Sequence, residues 1–158
     1  MLTVSARPAA DTDLAILATF YGELETEMTA LKPVWRFTDG LPEPIDESLT
    51  ALMSDPNTDV IIGEIDGTPV GFLVWRHTAL LPQAGARTAA TIELIFTTPA
   101  AREVGVGEAM MTSFSEGARD RGIRLFDAIV PPGHRAAKNF FESNGFKARR
   151  ITMHREVR

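Results

Sequence analysis

The spacing of the apolar residues changes along this chain, and no other feature of the sequence constrains the fold as strongly. From Leu14 to Met28 apolar residues recur every three or four positions, which predicts a helix with one buried face. Between Asp59 and Thr97 the spacing falls to two, which predicts strands, and helical spacing returns after Pro99. A chain of this kind favours an α+β layered domain, with one mixed sheet between helices.

Turn and cap residues divide the chain into elements. Asp66-Gly67 is typical of a hairpin turn, Pro99 ends a strand, and Gly122 and Gly145 end helices. The predicted order is βααβββαβαβ in a single domain over residues 1–158, with a central, mostly antiparallel sheet flanked by helices on both faces. The predicted strands are Val4–Arg7, Asp59–Ile65, Pro69–His77, Thr91–Thr97, Leu125–Val130 and Phe146–Arg155; the helices run from about Asp11 to Met28, Asp46 to Met53, Gly107 to Asp120 and His134 to Asn144; Lys32–Glu43 and Leu80–Ala90 are predicted as connections.

Composition narrows the class of protein. The 158 residues are 44% hydrophobic and carry a net charge of −5, which disfavours a nucleic-acid partner. No apolar run is long enough to span a membrane, and the N-terminus lacks the pattern of a secretion signal, so we expect a cytoplasmic protein without a membrane partner. Without cysteine there is no thiolate, and His77, His134 and His154 lack ligand spacing, so no metal site is predicted. A basic cluster near the C-terminus is interpreted as a solvated strand and tail: Lys147, Arg149, Arg150, His154, Arg155 and Arg158.

A glycine-containing loop precedes the third predicted helix. Arg102-Glu103-Val104-Gly105-Val106-Gly107 follows a strand, and the first turn of a helix leaves unpaired N–H groups at its positive end. Glycines at this point let a diphosphate approach the backbone, and Arg102 would add a full charge. Two glycines at a helix start also occur in a plain turn and cap. The missing third glycine disfavours a dinucleotide-dependent redox domain.

Two motifs together give the loop a more specific meaning. The sequence resembles the GNAT superfamily of N-acetyltransferases over nearly its whole length. In that family, Arg/Gln-x-x-Gly-x-Gly/Ala holds the pyrophosphate of acetyl-CoA, and Ala-x-x-x-Tyr-Glu-x-x-Gly-Phe follows about 30 residues later. The matching positions are Arg102, Gly105 and Gly107, and then Ala137, Phe141, Glu142, Gly145 and Phe146.

The resemblance implies direct transfer of an acetyl group from acetyl-CoA to an amine, without a covalent enzyme intermediate. It also implies that the backbone of Ile95, Phe96 and Thr97 contacts the pantetheine arm, near His134, where the family often has asparagine. Phe141 stands where the family often has a tyrosine that protonates the leaving thiolate. This departure leaves open a second function, a non-catalytic acyl-CoA-binding or sensor domain.

Glu93 is the candidate general base. It precedes Ile95 and Thr97 by two and four residues, so the strand period puts the three side chains on one face unless a bulge intervenes. A carboxylate at this point is placed to accept the proton of an attacking amine. The alternatives are that Glu93 faces solvent or pairs with Arg76.

The acceptor is less well defined by the sequence. Trp35 and Phe37 lie in a predicted loop, where they either cover the core or line the acceptor pocket. Tyr21, on the buried stripe of the first helix, is interpreted as a core residue rather than a displaced acid. The acceptor class is a small-molecule or peptide amine, and the resemblance makes a homodimer an expectation.

Overall fold

A computed structural model describes residues 1–158. The strands and helices follow the change in apolar spacing closely. The strands are β1 (Val4–Pro8), β2 (Thr58–Ile65), β3 (Thr68–Ala79), β4 (Thr88–Thr97) and β5 (Leu125–Ala128). The helices are α1 (Leu14–Leu31), α2 (Trp35–Thr38), α3 (Ile45–Ser54), α4 (Val106–Asp120) and α5 (Arg135–Ser143), with short 3₁₀ turns at Asp11–Asp13, Pro82–Ala84 and Pro99–Ala101.

The five strands form one sheet in the order β1-β2-β3-β4-β5. The first three pairings are antiparallel, and β5 pairs with β4 in parallel. Asp66 and Gly67 join β2 to β3 with φ of 50° and 79°. Two positive φ angles match the twist of a tight hairpin, so the turn predicted from Asp-Gly is confirmed.

Helices cover both faces of this sheet, which confirms the predicted α+β class. On one face α1 and α3 pack on alternate strand residues, in a cluster that includes Leu17, Phe20, Leu24, Leu49, Ile62, Phe72, Val74, Leu94 and Phe96. On the other face α4 and α5 pack in a cluster that includes Leu73, Trp75, Ile92, Met110, Met111, Phe114, Ala118 and Phe141. The predicted buried face of α1 and the helical spacing predicted after Pro99 are therefore confirmed.

The start of α1 is fixed to the edge of the sheet by an ion pair. Arg7 in β1 donates hydrogen bonds of 2.7 and 2.9 Å to the carboxylate of Asp13. The amide of Ala10 donates a third, at 2.7 Å. The bonds from Arg7 lower the pKa of Asp13, outweighing the opposite effect of its burial.

The middle of the chain contains more regular structure than predicted. The loop expected over 32–43 includes the helical turn α2, because Trp35 turns into the core and is only 6% exposed. The connection expected over 80–90 is shorter, since Thr88–Ala90 of β4 pair with the end of β3.

The strand expected over Phe146–Arg155 does not form. Phe146 packs on Phe141, but residues 147–158 are exposed and bury no apolar surface that would offset the entropy of ordering them. Arg149 forms an ion pair with Asp127 of β5, without a strand ladder between the two segments. No helix combines the length and apolarity needed to cross a bilayer.

Candidate functional site

Strands β4 and β5 separate halfway along β4. Their pairing covers Ala89–Ile92, and a last backbone bond of 3.0 Å joins Ile129 N–H to the carbonyl of Ile92. Pro131 and Pro132 follow, and proline has no N–H with which to continue a ladder. The second half of β4, Glu93–Thr97, therefore has a strand neighbour only on the β3 side. We call the opening between Glu93–Thr97 and residues 130–134 the notch.

The loop that leads from β4 into α4 has unbonded amides. The six consecutive N–H groups of Glu103 to Glu108 donate no well-formed hydrogen bond within the chain. No side chain caps α4, whose N-cap residue is Gly105. Free amides at the positive end of a helix attract an anion, so this turn can hold a phosphate or diphosphate.

The two glycines of this loop have different structural roles. Gly105 has φ of 102°, a left-handed conformation that side chains disfavour, and space is open around it. An ideal Cβ on Gly107 would lie 3.1 Å from Cε1 of Phe140 in α5. Gly105 thus shapes the loop, whereas Gly107 allows α5 to pack closely on α4.

The guanidinium of Arg102 is directed toward α1. Nε donates to the carbonyl of Thr97 at 2.8 Å, and Nη2 donates to Oε2 of Glu27 at 2.7 Å. The group also lies 5.6 Å from the centre of the Phe96 ring, within the range of a cation–π contact. Arg102 therefore binds the end of β4 and the adjacent helix, while the free amides lie in the residues that follow it.

His134 lies at the other wall of the notch, as the N-cap of α5. Its Nδ1 accepts a hydrogen bond of 3.2 Å from the amide of Ala137, and Nε2 lies 3.4 Å from Oε1 of Glu27. A ring nitrogen that accepts a bond carries no proton, so Nε2–H is free to face the carboxylate. Glu27 thus contacts Arg102 with one oxygen and His134 with the other.

A cavity of about 470 Å³ opens beside α1 and the end of β4. It is lined mainly by the polar face of α1, and by one aromatic and one proline: Thr19, Gly22, Glu23, Thr26, Glu27, Phe96 and Pro99. Phe96 contributes to its wall and also lies on the half of β4 that borders the notch. Sequence reasoning missed most of this cavity, although polar and small residues at helical spacing opposite the buried stripe of α1 were a usable signal.

Glu93 occupies a bulge at the start of the unpaired half of β4. Val74 pairs with Leu94 and Trp75 with Ile92, so Glu93 is an extra residue between them. Its Oε1 lies 3.1 Å from Nε of Arg76, as an ion pair without hydrogen-bond alignment.

The bulge changes which face these side chains occupy. Arg76 also approaches Asp55, at 3.9 Å, at the end of α3, so Glu93 lies on the α1 and α3 face. Ile95 packs with the opposite cluster. The shared face, which the sequence predicts only in the absence of a bulge, therefore does not form, because the extra residue shifts the alternation. The pairing with Arg76 is one of the alternatives that the sequence left open.

Phe141 is 3% exposed and lies in the core beneath α5. Its ring makes edge contacts with Phe140 and Phe146, each at 5.3 Å between centroids. Tyr21 is also a core residue, and its hydroxyl accepts a hydrogen bond of 2.7 Å from the amide of Leu41. Burial raises the pKa of Tyr21 to about 12. The interpretation of Tyr21 as a satisfied core residue is confirmed.

The two aromatic residues considered for the acceptor pocket lie apart from the cavity. Trp35 is buried, with its ring 6.4 Å from that of Tyr21. Phe37 is 78% exposed, and the guanidinium of Arg36 lies over its ring. No group of three or more potential ligand side chains is arranged to hold a metal ion.

Comparisons with known proteins give this geometry a context. The family model described as acetyltransferase (GNAT) family matches residues 21–146. A solved transcriptional regulator from Bacillus halodurans C-125 aligns with a TM-score of 0.78 and 25% identity, over 98% of this chain and 100% of its own. A ribosomal-protein-alanine N-acetyltransferase from Brucella melitensis biovar Abortus 2308 aligns with a TM-score of 0.75 and 17% identity, over 98% and 99% of the two chains.

A third similar structure contains a CoA derivative. AAC(6')-Iy in complex with the bisubstrate analogue CoA-S-monomethyl-acetylneamine aligns with a TM-score of 0.71 and 17% identity, over 98% of this chain and 99% of its own. At this identity the likeness establishes a common fold. Among curated proteins, a sequence search finds no significant match.

Proposed function

Because this chain belongs to the GNAT acetyltransferase family, we propose that it transfers an acetyl group from acetyl-CoA to a primary amine. The observation that carries the proposal is the run of six unbonded amides from Glu103 to Glu108, directly after the unpaired half of β4. An anionic group and an extended polar chain would find adjacent partners there. The similar structure with a bound CoA derivative supports the same choice of ligand.

The amides of the loop fit a diphosphate. They lie at the positive end of α4, where no side chain competes for them. Val104 is 44% exposed, so the loop is accessible from solvent. We assign the diphosphate of acetyl-CoA to the segment that begins after Arg102 and includes Glu103, Val104, Gly105, Val106 and Gly107.

The open edge of β4 is assigned to the pantetheine arm. Ile95 and Thr97 direct their backbone groups to this edge, whereas those of Phe96 face β3, because hydrogen-bonded and non-hydrogen-bonded pairs alternate in an antiparallel ladder. His134 lies near the opposite wall of the notch. Bound acetyl-CoA supplies a thioester carbonyl as the electrophile. An amide on the edge of β4 would donate to the carbonyl oxygen as negative charge develops, and loss of such a donor costs about 3 kcal/mol of transition-state stabilisation.

The acceptor amine is assigned to the cavity beside α1, which shares Phe96 with the edge of β4. Glu23 and Glu27 give this cavity a negative lining that suits an ammonium group. The chemistry is compatible with a small-molecule or a peptide amine. Trp35 and Phe37 are not among the lining residues.

Glu93 is kept as the candidate base. It follows Ile92, the last residue of β4 that pairs with β5, and its carboxylate is partly accessible. Phe141 cannot donate a proton to the leaving thiol. Since a thiol with a pKa near 8.5 is a tolerable leaving group, water or the departing ammonium proton is sufficient.

Thiol release from acetyl-CoA with a panel of amines tests this function. We expect wild-type protein to release CoA with at least one amine. Glu93→Gln should lower kcat on the order of 10²-fold while CoA affinity is retained. Glu116→Gln, on the exposed face of α4, is the matched control and should keep wild-type rates. Wild-type kcat in Glu93→Gln across pH 6 to 9 would assign Glu93 a structural role.

A second function, an acyl-CoA sensor without catalysis, is favoured by one observation. Phe141 stands at the family's acid position and is packed in the core. One of the solved structures with this fold is described as a transcriptional regulator rather than as a transferase. Tight CoA binding without thiol release across the amine panel would select this function.

A further inference from the structure

Glu27 lines the acceptor cavity, and it contacts His134 in one wall of the notch and Arg102, which holds Thr97 at the end of the other wall. Its Oε2 accepts from Arg102 at 2.7 Å, and its Oε1 lies 3.4 Å from Nε2 of His134. The three residues belong to α1, to the loop after β4 and to the cap of α5. Resting on the proposed function, we propose that Glu27 is a positioning residue, which holds the acetyl-CoA notch in its binding geometry through Arg102 and His134.

Arg102 holds the end of β4 in place. Its Nε holds the carbonyl of Thr97, the last residue of β4, and its planar face lies near the ring of Phe96. These contacts fix the end of the strand whose open edge is assigned to the pantetheine arm. A guanidinium whose Nε is bonded to β4 and whose Nη2 is bonded to α1 acts as a brace between the two elements rather than as a free cation for the diphosphate.

The carboxylate of Glu27 in turn holds Arg102. The guanidinium–carboxylate contact of 2.7 Å is charge-assisted, and hydrogen bonds of this kind are shorter and stronger than those between neutral groups. The side chain of Glu27 is 29% exposed and that of His134 is 18% exposed, so water does not fully replace these contacts. Removing the carboxylate would release Arg102 from α1 and leave Nε2 of His134 without its charged neighbour.

Two possible roles for Arg102 predict opposite effects of removing Glu27 on the affinity for CoA. If Arg102 binds the diphosphate directly, Glu27 competes for it, and removal of Glu27 tightens CoA binding. If Arg102 is a brace held by Glu27, the same change weakens CoA binding. The two accounts therefore give opposite results for one variant.

Calorimetric titration of CoA into the full-length protein separates these accounts. We expect Glu27→Ala and Arg102→Ala each to raise the Kd for CoA on the order of tenfold, because small displacements of a positioning element have large effects. The double variant should bind no more weakly than the weaker single variant, since both changes remove the same contact. Glu27→Gln should recover most of the affinity, because its amide oxygen still accepts from Arg102.

Glu116→Ala is the matched control. Glu116 lies on the exposed face of α4, outside the notch and the acceptor cavity, and has no ion-pair or hydrogen-bond partner, so its removal should leave the Kd for CoA within about twofold. Melting temperatures measured in parallel show that each variant is folded. Glu27→Gln, which keeps the size of the side chain, provides the test if Glu27→Ala does not fold.

Unchanged or tighter CoA binding in folded Glu27→Ala would overturn the proposal. Additive losses in the double variant would also overturn it, because the two residues would then act independently. Absence of CoA binding by the wild-type protein would instead refute the proposed function, so the two failures are distinguishable.

Discussion

Helices α4 and α5 both begin beside the notch, but their first turns are built differently. In α5 the side chain of His134 accepts the Ala137 amide, so one of the free N–H groups is satisfied within the chain. In α4 the N-cap is Gly105, no side chain accepts, and the first amides stay unbonded. A capped turn stabilises its own helix, whereas an uncapped turn keeps its donors for an anion. The difference supports our proposal that α4 binds the diphosphate and that α5 supports the notch.

The largest effect is expected from adding charge to the uncapped turn. Val104 is exposed, so Val104→Glu should fold normally and place a carboxylate beside the free amides. Repulsion of the diphosphate should then raise the Kd for CoA by roughly 10- to 100-fold at low salt. Calorimetric titration measures the Kd for CoA, and the difference between Val104→Glu and the wild type should shrink as ionic strength rises.

Val104→Gln is the neutral control of nearly the same shape, and its Kd for CoA should stay near the wild-type value. Equal affinity in both variants would mean that the diphosphate lies elsewhere, and α4 would then differ from α5 only in its cap.

A smaller effect is expected from alanine at two glycines of the α4 region. Gly105→Ala forces a side chain into φ of 102° and should lower the free energy of unfolding by about 1.5 kcal/mol. Gly117→Ala, inside α4, should raise it by about 0.5–1 kcal/mol, since helix propensity improves. Its new Cβ would meet Trp75 at 3.7 Å, an ordinary contact.

Urea denaturation of both variants measures these changes. A loss of stability in Gly105→Ala together with a gain in Gly117→Ala would support the role of Gly105 in shaping the loop. A Gly105→Ala variant as stable as the wild type would show that the left-handed conformation is not required.

An effect smaller than that of Gly105→Ala is expected at the cap of α5. His134→Ala removes the acceptor for the Ala137 amide and should lower the free energy of unfolding by about 1 kcal/mol. His134→Asn keeps a good capping group and should lose less. Thermal unfolding of the pair gives the comparison, and equal losses in both variants would argue that the ring acts by packing rather than by capping.

The fold could be predicted where the signal was local. The apolar stripe of α1 and the Asp66-Gly67 turn depend on neighbouring residues, and both were correct. The last strand was wrong because strand formation needs a partner edge, and β5 has only four residues. The segment after Phe146 has strand-like residues but no surface against which to bury them.

The candidate site was predictable only in part, for the same reason. The loop of Arg102 to Gly107 is one continuous segment with a visible pattern. The contact between Arg102 and Glu27 joins positions 75 residues apart, so no local pattern indicates it. No residue type in the sequence marks the bulge at Glu93. The bulge places this side chain on the α1 and α3 face, opposite to Ile95. Gly107 has no side chain, and the sequence therefore indicated space for a ligand at this position. In the structure that space is taken by Phe140, which a Cβ on Gly107 would contact.

Amide hydrogen exchange, followed by nuclear magnetic resonance with and without CoA, tests the central claim most directly. In the free protein the amides of Glu103 to Glu108 should exchange rapidly, because they have no acceptor, whereas the Ala137 amide should be protected. Saturating CoA should slow exchange at the residues of this loop and leave Ala137 nearly unchanged. Rapid exchange throughout 103–108 in the presence of saturating CoA would contradict the assignment of this turn as the diphosphate site.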